Sequence, residues 1–249
     1  MQIQLQMEGN DIRLPMAYNH LIQGLLFREL EKIDSSYSTR LHNQKHKPFT
    51  FGSLRGDHTT DREKKEISFK ESIRLEIRSA DPLFIQILLS SFRKGKTIEI
   101  ENNNLKVWDV KLINKSFHCE NGLIRMVTPI TVKKATTGTK PIYWTPLEEG
   151  FYRAVENSVY SKWGTALGND NLDFFIGPAS KDTKYRKEVR HFVKEEDGKK
   201  RVTSIDGYMG SFYLTGSPVC LDFLYNVGLG GRNAQGFGMF ERDNRYGRN

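Results

Sequence analysis

Within six positions the chain carries His42, Lys45, His46 and Lys47. Histidine titrates near neutral pH and serves as proton acceptor or donor, a role typically contributing about 10²–10⁴-fold in rate. A neighbouring ammonium stabilises negative charge that builds up in a transition state. No carboxylate interrupts the run from Leu41 to Lys47, so the cluster lacks ligands that a hydrolytic metal centre draws on. His42 and His46 have the spacing of two ligands on one helical face, but nothing nearby offers a third. Metal-free acid–base chemistry on an anionic substrate is the functional reading. The plain alternative is two surface histidines in a polar, flexible stretch from Asp34 to Lys47. His20 shares a helical face with Gly24 and Phe27 and reads as a packing residue, while His58, His118 and His191 carry no site signal.

A second candidate lies near the C-terminus, in Gly228-Leu229-Gly230-Gly231-Arg232-Asn233-Ala234-Gln235-Gly236-Phe237-Gly238. Glycines Gly228, Gly230, Gly236 and Gly238 give freedom to adopt positive φ and let another backbone come close. Successive free N–H groups in such a loop can hold an anion, phosphate being the usual occupant. Two phosphate motifs fail on spacing. A dinucleotide fingerprint needs glycine where Asn233 stands, and a P-loop needs Lys-Ser/Thr after Gly236, where Phe237 follows. A tight structural turn is the competing reading. Ser217-Pro218 supplies a helix N-cap and first helical residue ahead of the apolar run Val219 to Val227. Phe237, Met239 and Phe240 predict a short closing strand.

The third candidate is a basic segment from Lys181 to Arg201, with Lys184, Arg186, Lys187, Arg190 and Lys194. Tyr185, His191 and Phe192 are interleaved with the charges, a pattern that suits phosphate contacts and base stacking. Glu188, Glu195, Glu196 and Asp197 dilute the charge and favour a solvated hairpin instead. Lys133, Lys134, Lys140 and Arg232 are comparable nucleic-acid contacts. Trp108, Trp144 and Trp163 read as packing residues.

Composition narrows the partner. The net charge of +8 over 249 residues points to a polyanion, either nucleic acid or an anionic membrane surface. No apolar run approaches the roughly 18 residues of a membrane span, and the N-terminus has no signal-peptide core, which predicts a cytoplasmic protein that does not insert into a membrane. Cys119 and Cys220 are too few and too isolated for a disulfide framework or a zinc site.

The elements that must position these residues follow from hydrophobic period. Met1 to Met7 alternates as a half-buried strand. Leu14, Tyr18, Leu21, Ile22, Leu25, Leu26, Leu30 and Ile33 repeat at three and four residues, the stripe of an amphipathic helix. Phe49–Leu54 and Ile67–Ile77 predict strands, Pro82–Phe92 a helix, and Thr97–Ile100 with Leu105–Ile113 further strand. Strand, helix, strand, strand, helix, strand is the ferredoxin-like order. The second half repeats it. Asn121-Gly122 predicts a type I′ hairpin turn, Leu123–Val132 a strand leading into a Thr/Gly-rich loop, and Thr145-Pro146-Leu147-Glu148 a capping box for a helix with Leu147, Phe151, Val155 and Val159 on one face. A strand at Leu172–Ile176, a turn at Asp197-Gly198, a strand through Tyr213 and the helix after Ser217 complete it. The expectation is an α+β chain of two tandem ferredoxin-like (βαββαβ) domains, over residues 1–117 and 122–249, with antiparallel sheets and helices on one face.

Particular stretches are recognisable. Tyr18-Asn19-His20 with Gln23-Gly24-Leu25-Leu26, Leu41-His42 with Phe49-Thr50, Thr128-Pro129-Ile130, Glu149-Gly150-Phe151-Tyr152 and the glycine-rich loop resemble the repeat-associated mysterious proteins of CRISPR systems. Among these the chain is most similar to the CRISPR-associated repeat-processing endoribonucleases, the sixth Cas family.

The resemblance implies a metal-independent endonuclease without cofactors that cuts the repeats of precursor CRISPR RNA. The 2′-hydroxyl attacks the neighbouring phosphate and leaves a 2′,3′-cyclic phosphate, so that guide RNAs for antiviral defence are released. It implies His42 as the catalytic histidine and Lys47 as the accompanying lysine, with His46 as a possible acid partner or RNA contact. With RNA as the partner, the basic segments and the glycine-rich loop supply the expected contacts, at Lys133, Lys134, Lys187, Arg190, Arg232, Asn233 and Gln235. The tyrosine that several members carry on the first helix falls on Phe27, which packs or stacks but donates no proton. A non-catalytic RNA-binding subunit of a CRISPR effector complex is therefore the alternative, and effector subunits or a second copy of the chain are further possible partners.

Overall fold

The structure is a computed structural model that describes residues 1–117, 120–138, 140–168, 172–196 and 199–243. Strand β1 (Gln2–Glu8) buries Ile3, Leu5 and Met7, as its alternation predicts. After β2 (Ile12–Pro15), helix α1 (Asn19–Ile33) buries Ile22, Leu25, Leu26 and Leu30 on its apolar stripe.

The next stretch departs from expectation. Residues Ser35–Asn43 form a second helix, α2, rather than a flexible polar segment. The carboxylate of Asp34 caps it by accepting from the Tyr37 amide at 2.8 Å, and Tyr37, Ser38 and Leu41 are buried. A nine-residue helix with so few apolar positions is marginal in isolation and depends on packing against α1.

Strands β3 (Phe49–Phe51), β4 (His58–Asp61), β5 (Glu66–Phe69) and β6 (Ser72–Ser79) follow. The single strand expected over Ile67–Ile77 is thus two, because β5 leaves the main sheet to join β2 and β4 in a small three-stranded sheet. Helix α3 (Pro82–Ser91) is capped by Asp81, and β7 (Thr97–Ile100) with β8 (Asn103–Ile113) ends this half. The main sheet is antiparallel in the order β3-β6-β1-β8-β7. With β7 set aside as an added edge, this is the ferredoxin-like order.

The second half comprises β9 (Asn121–Met126), β10 (Lys133–Thr137), β11 (Lys140–Tyr143), α4 (Gly150–Leu167), β12 (Phe174–Pro178), β13 (Arg186–Glu196), β14 (Lys199–Met209), β15 (Ser211–Gly216), α5 (Pro218–Val227) and β16 (Phe240–Arg242). Its sheet runs β12-β15-β9-β16, the same order again, with the hairpins β10–β11 and β13–β14 inserted. The chain is therefore two ferredoxin-like units in tandem. One core gathers Ile3 through Val107, and a second gathers Phe117 through Phe240.

Four further expectations need correction. Asn121-Gly122 opens β9, whose partners are β15 and β16, and so makes no hairpin turn with the strand before it. The Thr/Gly-rich stretch is the hairpin β10–β11. The Thr145–Glu148 box forms, since the Thr145 amide donates to Glu148 Oε2 at 2.9 Å, but it closes a turn ahead of α4, and Leu147 is 83% exposed. The predicted closing strand begins only at Phe240, because Phe237 and Met239 belong to the preceding segment. The expected turn at 197–198 lies outside the described residues.

Candidate functional site

Helix α2 places His42 in its last turn, exposed to solvent. The imidazole meets the edge of Phe27 at 5.3 Å between ring centres, so the α1 position read as the family's tyrosine touches this histidine directly. Phe27 in turn packs on Phe49 at 6.2 Å, which anchors that wall of the site in the core. The chain then leaves the helix. Lys47 Nζ donates to the Gln44 carbonyl at 3.1 Å, and partial burial lowers its pKa from the usual lysine value. His46 points towards α4, with Nε2 at 2.7 Å from Ser161 Oγ. Burial first, and then the positive charges of Lys162 and Lys45, lower the His46 pKa and favour its neutral form.

A hollow of about 400 Å³ lies beside this corner, lined by Gln23, Lys45, His46, Lys47, Lys162, Arg232 and Gln235 among others. His42 is not part of its lining. The structure therefore separates the two histidines: His42 stays beside Phe27, and His46 faces the hollow with Lys47. Among the described residues, no group of three or more His, Cys, Asp or Glu side chains is placed to hold a metal ion.

The glycine-rich loop has a different character. Gly228, Gly230, Gly236 and Gly238 all have positive φ, between +65° and +84°. Its amides, however, are largely consumed by the fold: Gly228 donates to Leu224 O, Leu229 to Gly238 O, Gly231 to Thr131 O, Gly236 to Asn233 O and Gly238 to Pro129 O. The anion nest expected from free N–H groups is replaced by a seam between the two units. Thr50 Oγ1 donates to Phe237 O at 3.0 Å, Asn19 Nδ2 to Gln235 O at 2.9 Å, and the fully buried Arg78 donates through Nη1 to Phe240 O at 2.7 Å. A Cβ on Gly238 would stand 2.0 Å from Leu229 O, and one on Gly236 would stand 2.5 Å from Asn19 Nδ2.

Two expected RNA contacts are committed to this seam. Asn233 is 6% exposed, with its amide donating to Leu229 O at 2.9 Å and to Phe237 O at 3.1 Å. Arg190 reaches from β13 to Gly236 O at 2.7 Å and Ser53 Oγ at 3.2 Å, with its guanidinium over the Phe237 ring. Phe192 is buried against Phe237, and Tyr185 stacks on Phe212, so these interleaved aromatics face inwards.

The other cations stay outside. Lys133 and Lys134 lie on the exposed β10, where Lys134 pairs with Glu148 and covers the Trp144 ring at 4.1 Å. Lys187 pairs with Asp206 at 2.6 Å, and the exposed Arg232 donates to Gln235 Oε1 at 3.0 Å. The side chains of residues 193–201 lie outside the described part of the chain.

Sequence reasoning missed Lys162. It is 6% exposed, and burial lowers its pKa to about 7. Its signal was positional: a lysine seven residues after Val155 and three after Val159 lies on the stripe that buries α4.

Comparison with known proteins agrees with this architecture. Residues 13–116 match the family described as CRISPR-associated protein Cas6, N-terminal, and residues 112–242 match CRISPR associated protein Cas6, C-terminal. A Methanocaldococcus jannaschii protein named CRISPR-associated endoribonuclease Cas6 1 is 23% identical over 246 residues, covering 96% of this chain and 91% of that one. The solved structure of the product of a Cas6-related gene from Pyrococcus furiosus superposes with a TM-score of 0.82 at 20% identity, over 98% of this chain and 99% of the other. A RAMP protein described as binding different RNA substrates gives a TM-score of 0.80 at 20% identity, with the same coverage. At such identity the superpositions establish the fold, and the family matches establish kinship: the chain belongs to the CRISPR-associated protein Cas6 family.

Proposed function

We propose that the chain is an endoribonuclease that cuts the repeats of precursor CRISPR RNA, with domains over residues 1–117 and 122–249. The observation that carries the reading is His42, an exposed imidazole at the end of α2 against Phe27, followed within five residues by Lys45, His46 and Lys47, which line a hollow without a carboxylate. His42 takes the 2′-hydroxyl proton, the freed oxygen attacks the adjacent phosphorus, and the 5′-oxygen leaves with a proton from water or from a neighbouring group. The product strand ends in a 2′,3′-cyclic phosphate. Lys47 stabilises the charge on the phosphorane. His46, held largely neutral by burial and by Lys162, is suited to a supporting proton-transfer or RNA-contact role.

RNA is drawn along Lys133, Lys134, Lys187 and Arg232, which remain at the surface, and Gln235 lines the hollow. Arg190 and Asn233 support that surface from within. Among the described residues no helix is long and apolar enough to cross a membrane, and the reading places the protein in the cytoplasm with its RNA.

The test is cleavage of repeat RNA in excess EDTA, with His42→Ala and with a 2′-deoxy substrate at the cut. Cutting by the wild type alone, with His42→Ala slower by about 10²–10⁴-fold, supports the mechanism. Phe27 in place of a hydroxyl-bearing residue favours a second reading, a non-catalytic RNA-binding subunit of an effector complex. Tight binding by the wild type with the RNA left whole selects that reading.

A further inference from the structure

Lys162 is anomalous. Its ammonium donates to Gly228 O at 2.8 Å, and among the described residues no carboxylate lies within ion-pair distance of it. A buried ammonium without a counter-ion is costly, and an apolar side chain of like length would fit the same helix stripe. The charge also opens onto something. Lys162 lines the 400 Å³ hollow beside Lys47 and Arg232, and a second hollow of similar volume that adjoins it through Lys45, His46 and Lys47. The first has no carboxylate in its wall, while Gln23 and Gln235 supply neutral amides. Four cations, Lys45, Lys47, Lys162 and Arg232, and two amides around a space of that size suit a phosphate-sized oxyanion.

We propose that this hollow binds a backbone phosphate of the RNA flanking the bond that is cut, with Lys162 as its buried counter-charge and with Lys47 and Arg232 meeting it from the open side. The inference rests on the endonuclease reading for its ligand, but the anion site can be measured without RNA. His42 does not line the hollow, so the site adjoins the proton-transfer centre and shares His46 and Lys47 with it. A bound phosphate explains why a lysine is kept there: the anion supplies the missing partner and holds the ammonium charged.

The site depends on pH. Burial lowers Lys162 from the ordinary 10.5 to about 7, so in the empty protein its charge fades above neutrality. The groups facing it are Lys45, His46 and Lys47 from the segment after α2, Arg232 from the glycine-rich loop, and Asp81 from the start of α3 across the second hollow. Four of these five are basic, and Asp81 is engaged by the Tyr37 hydroxyl at 2.7 Å. Protonation of His46 below its lowered pKa adds to the pull on an anion.

The experiment titrates inorganic pyrophosphate into wild type and Lys162→Met and follows the thermal midpoint, then measures binding of a repeat RNA with a 2′-deoxy at the cut. Pyrophosphate is expected to raise the wild-type midpoint more at pH 6.5 than at pH 8.5 and to leave Lys162→Met unmoved. The variant should bind the uncleavable RNA about tenfold more weakly. It should also fold at least as stably as wild type near pH 6, because an unpaired buried charge has been removed. The unfolded chain holds the Lys162 proton up to about 10.5 and the folded chain only to about 7, so wild type recovers stability as pH rises through that window and the variant does not. Should Lys162→Met fail to fold, Arg232→Gln on the exposed rim carries the test, with an expected tenfold loss of pyrophosphate affinity. Equal pyrophosphate shifts in wild type and variant, or no shift in wild type, overturn the site. Wild type that takes pyrophosphate there yet leaves RNA whole overturns the endonuclease reading alone. Cleavage that is indifferent to pyrophosphate and to Lys162→Met overturns this inference alone.

Discussion

Two stretches of this chain look functional in much the same way. The corner from His42 to Lys47 and the loop from Gly228 to Gly238 are both dense in residues associated with phosphate chemistry. In the folded protein they divide the work. The loop turns its amides, Asn233 and the reach of Arg190 inwards and becomes the seam that fixes one ferredoxin-like unit against the other. The corner leaves His42 in solvent, and gives Lys47 a carbonyl and His46 a hydroxyl as partner, with no carboxylate at either. The difference lies in satisfaction: groups whose hydrogen bonds close within the fold are structural, and groups left without internal partners are available to a ligand.

The sharpest way to break this comparison is Gly238→Ala. The new Cβ would meet Leu229 O at 2.0 Å on a backbone held at φ +77°. The loss expected in urea denaturation is about 4 kcal/mol or more. Retained stability would mean that the loop is not the strut described above. Asn233→Ala removes the side-chain donor to Leu229 O and leaves Phe237 O with Thr50 Oγ1 alone, with an expected cost of about 1–3 kcal/mol in the same assay. By contrast, His42→Ala should leave the urea midpoint in place while cleavage falls.

Phe27→Tyr sharpens the other side. It sets a hydroxyl on the ring that touches His42, and single-turnover cleavage should rise by up to about tenfold with RNA affinity unchanged. An unchanged rate would show that Phe27 serves only as a wall. The smallest effect is expected from Lys134→Ala. Its pair with Glu148 is substantially exposed and screened, and contributes about 0–1 kcal/mol. The slope of RNA affinity against salt should fall by about one phosphate contact.

Much of the architecture was legible because it is written in period and punctuation. The alternation of Ile3, Leu5 and Met7, the α1 stripe, the Ser217-Pro218 cap and the four positive-φ glycines all appear where the sequence places them. Helix α2 was harder to see. Its apolar content is small, and its one local signal was Asp34 capping Tyr37. Phe192 and Tyr185 read as base platforms only while their neighbours were unknown, since an aromatic side chain carries no mark of whether it faces solvent or a partner such as Phe237.

The sequence by itself determined the order of elements, the tandem ferredoxin-like plan, the basic character and the identity of the histidine–lysine corner, because each depends on residues close together in the chain. Tertiary structure alone decided which cations are spent and which are free, that Phe27 touches His42, and that Lys162 lies buried beneath the hollow. Those outcomes depend on contacts between residues apart in the chain, from Phe27 with His42 within one unit to His46 with Ser161 and Thr50 with Phe237 across the two. Only the docking of one unit on the other brings the last two pairs within hydrogen-bonding distance.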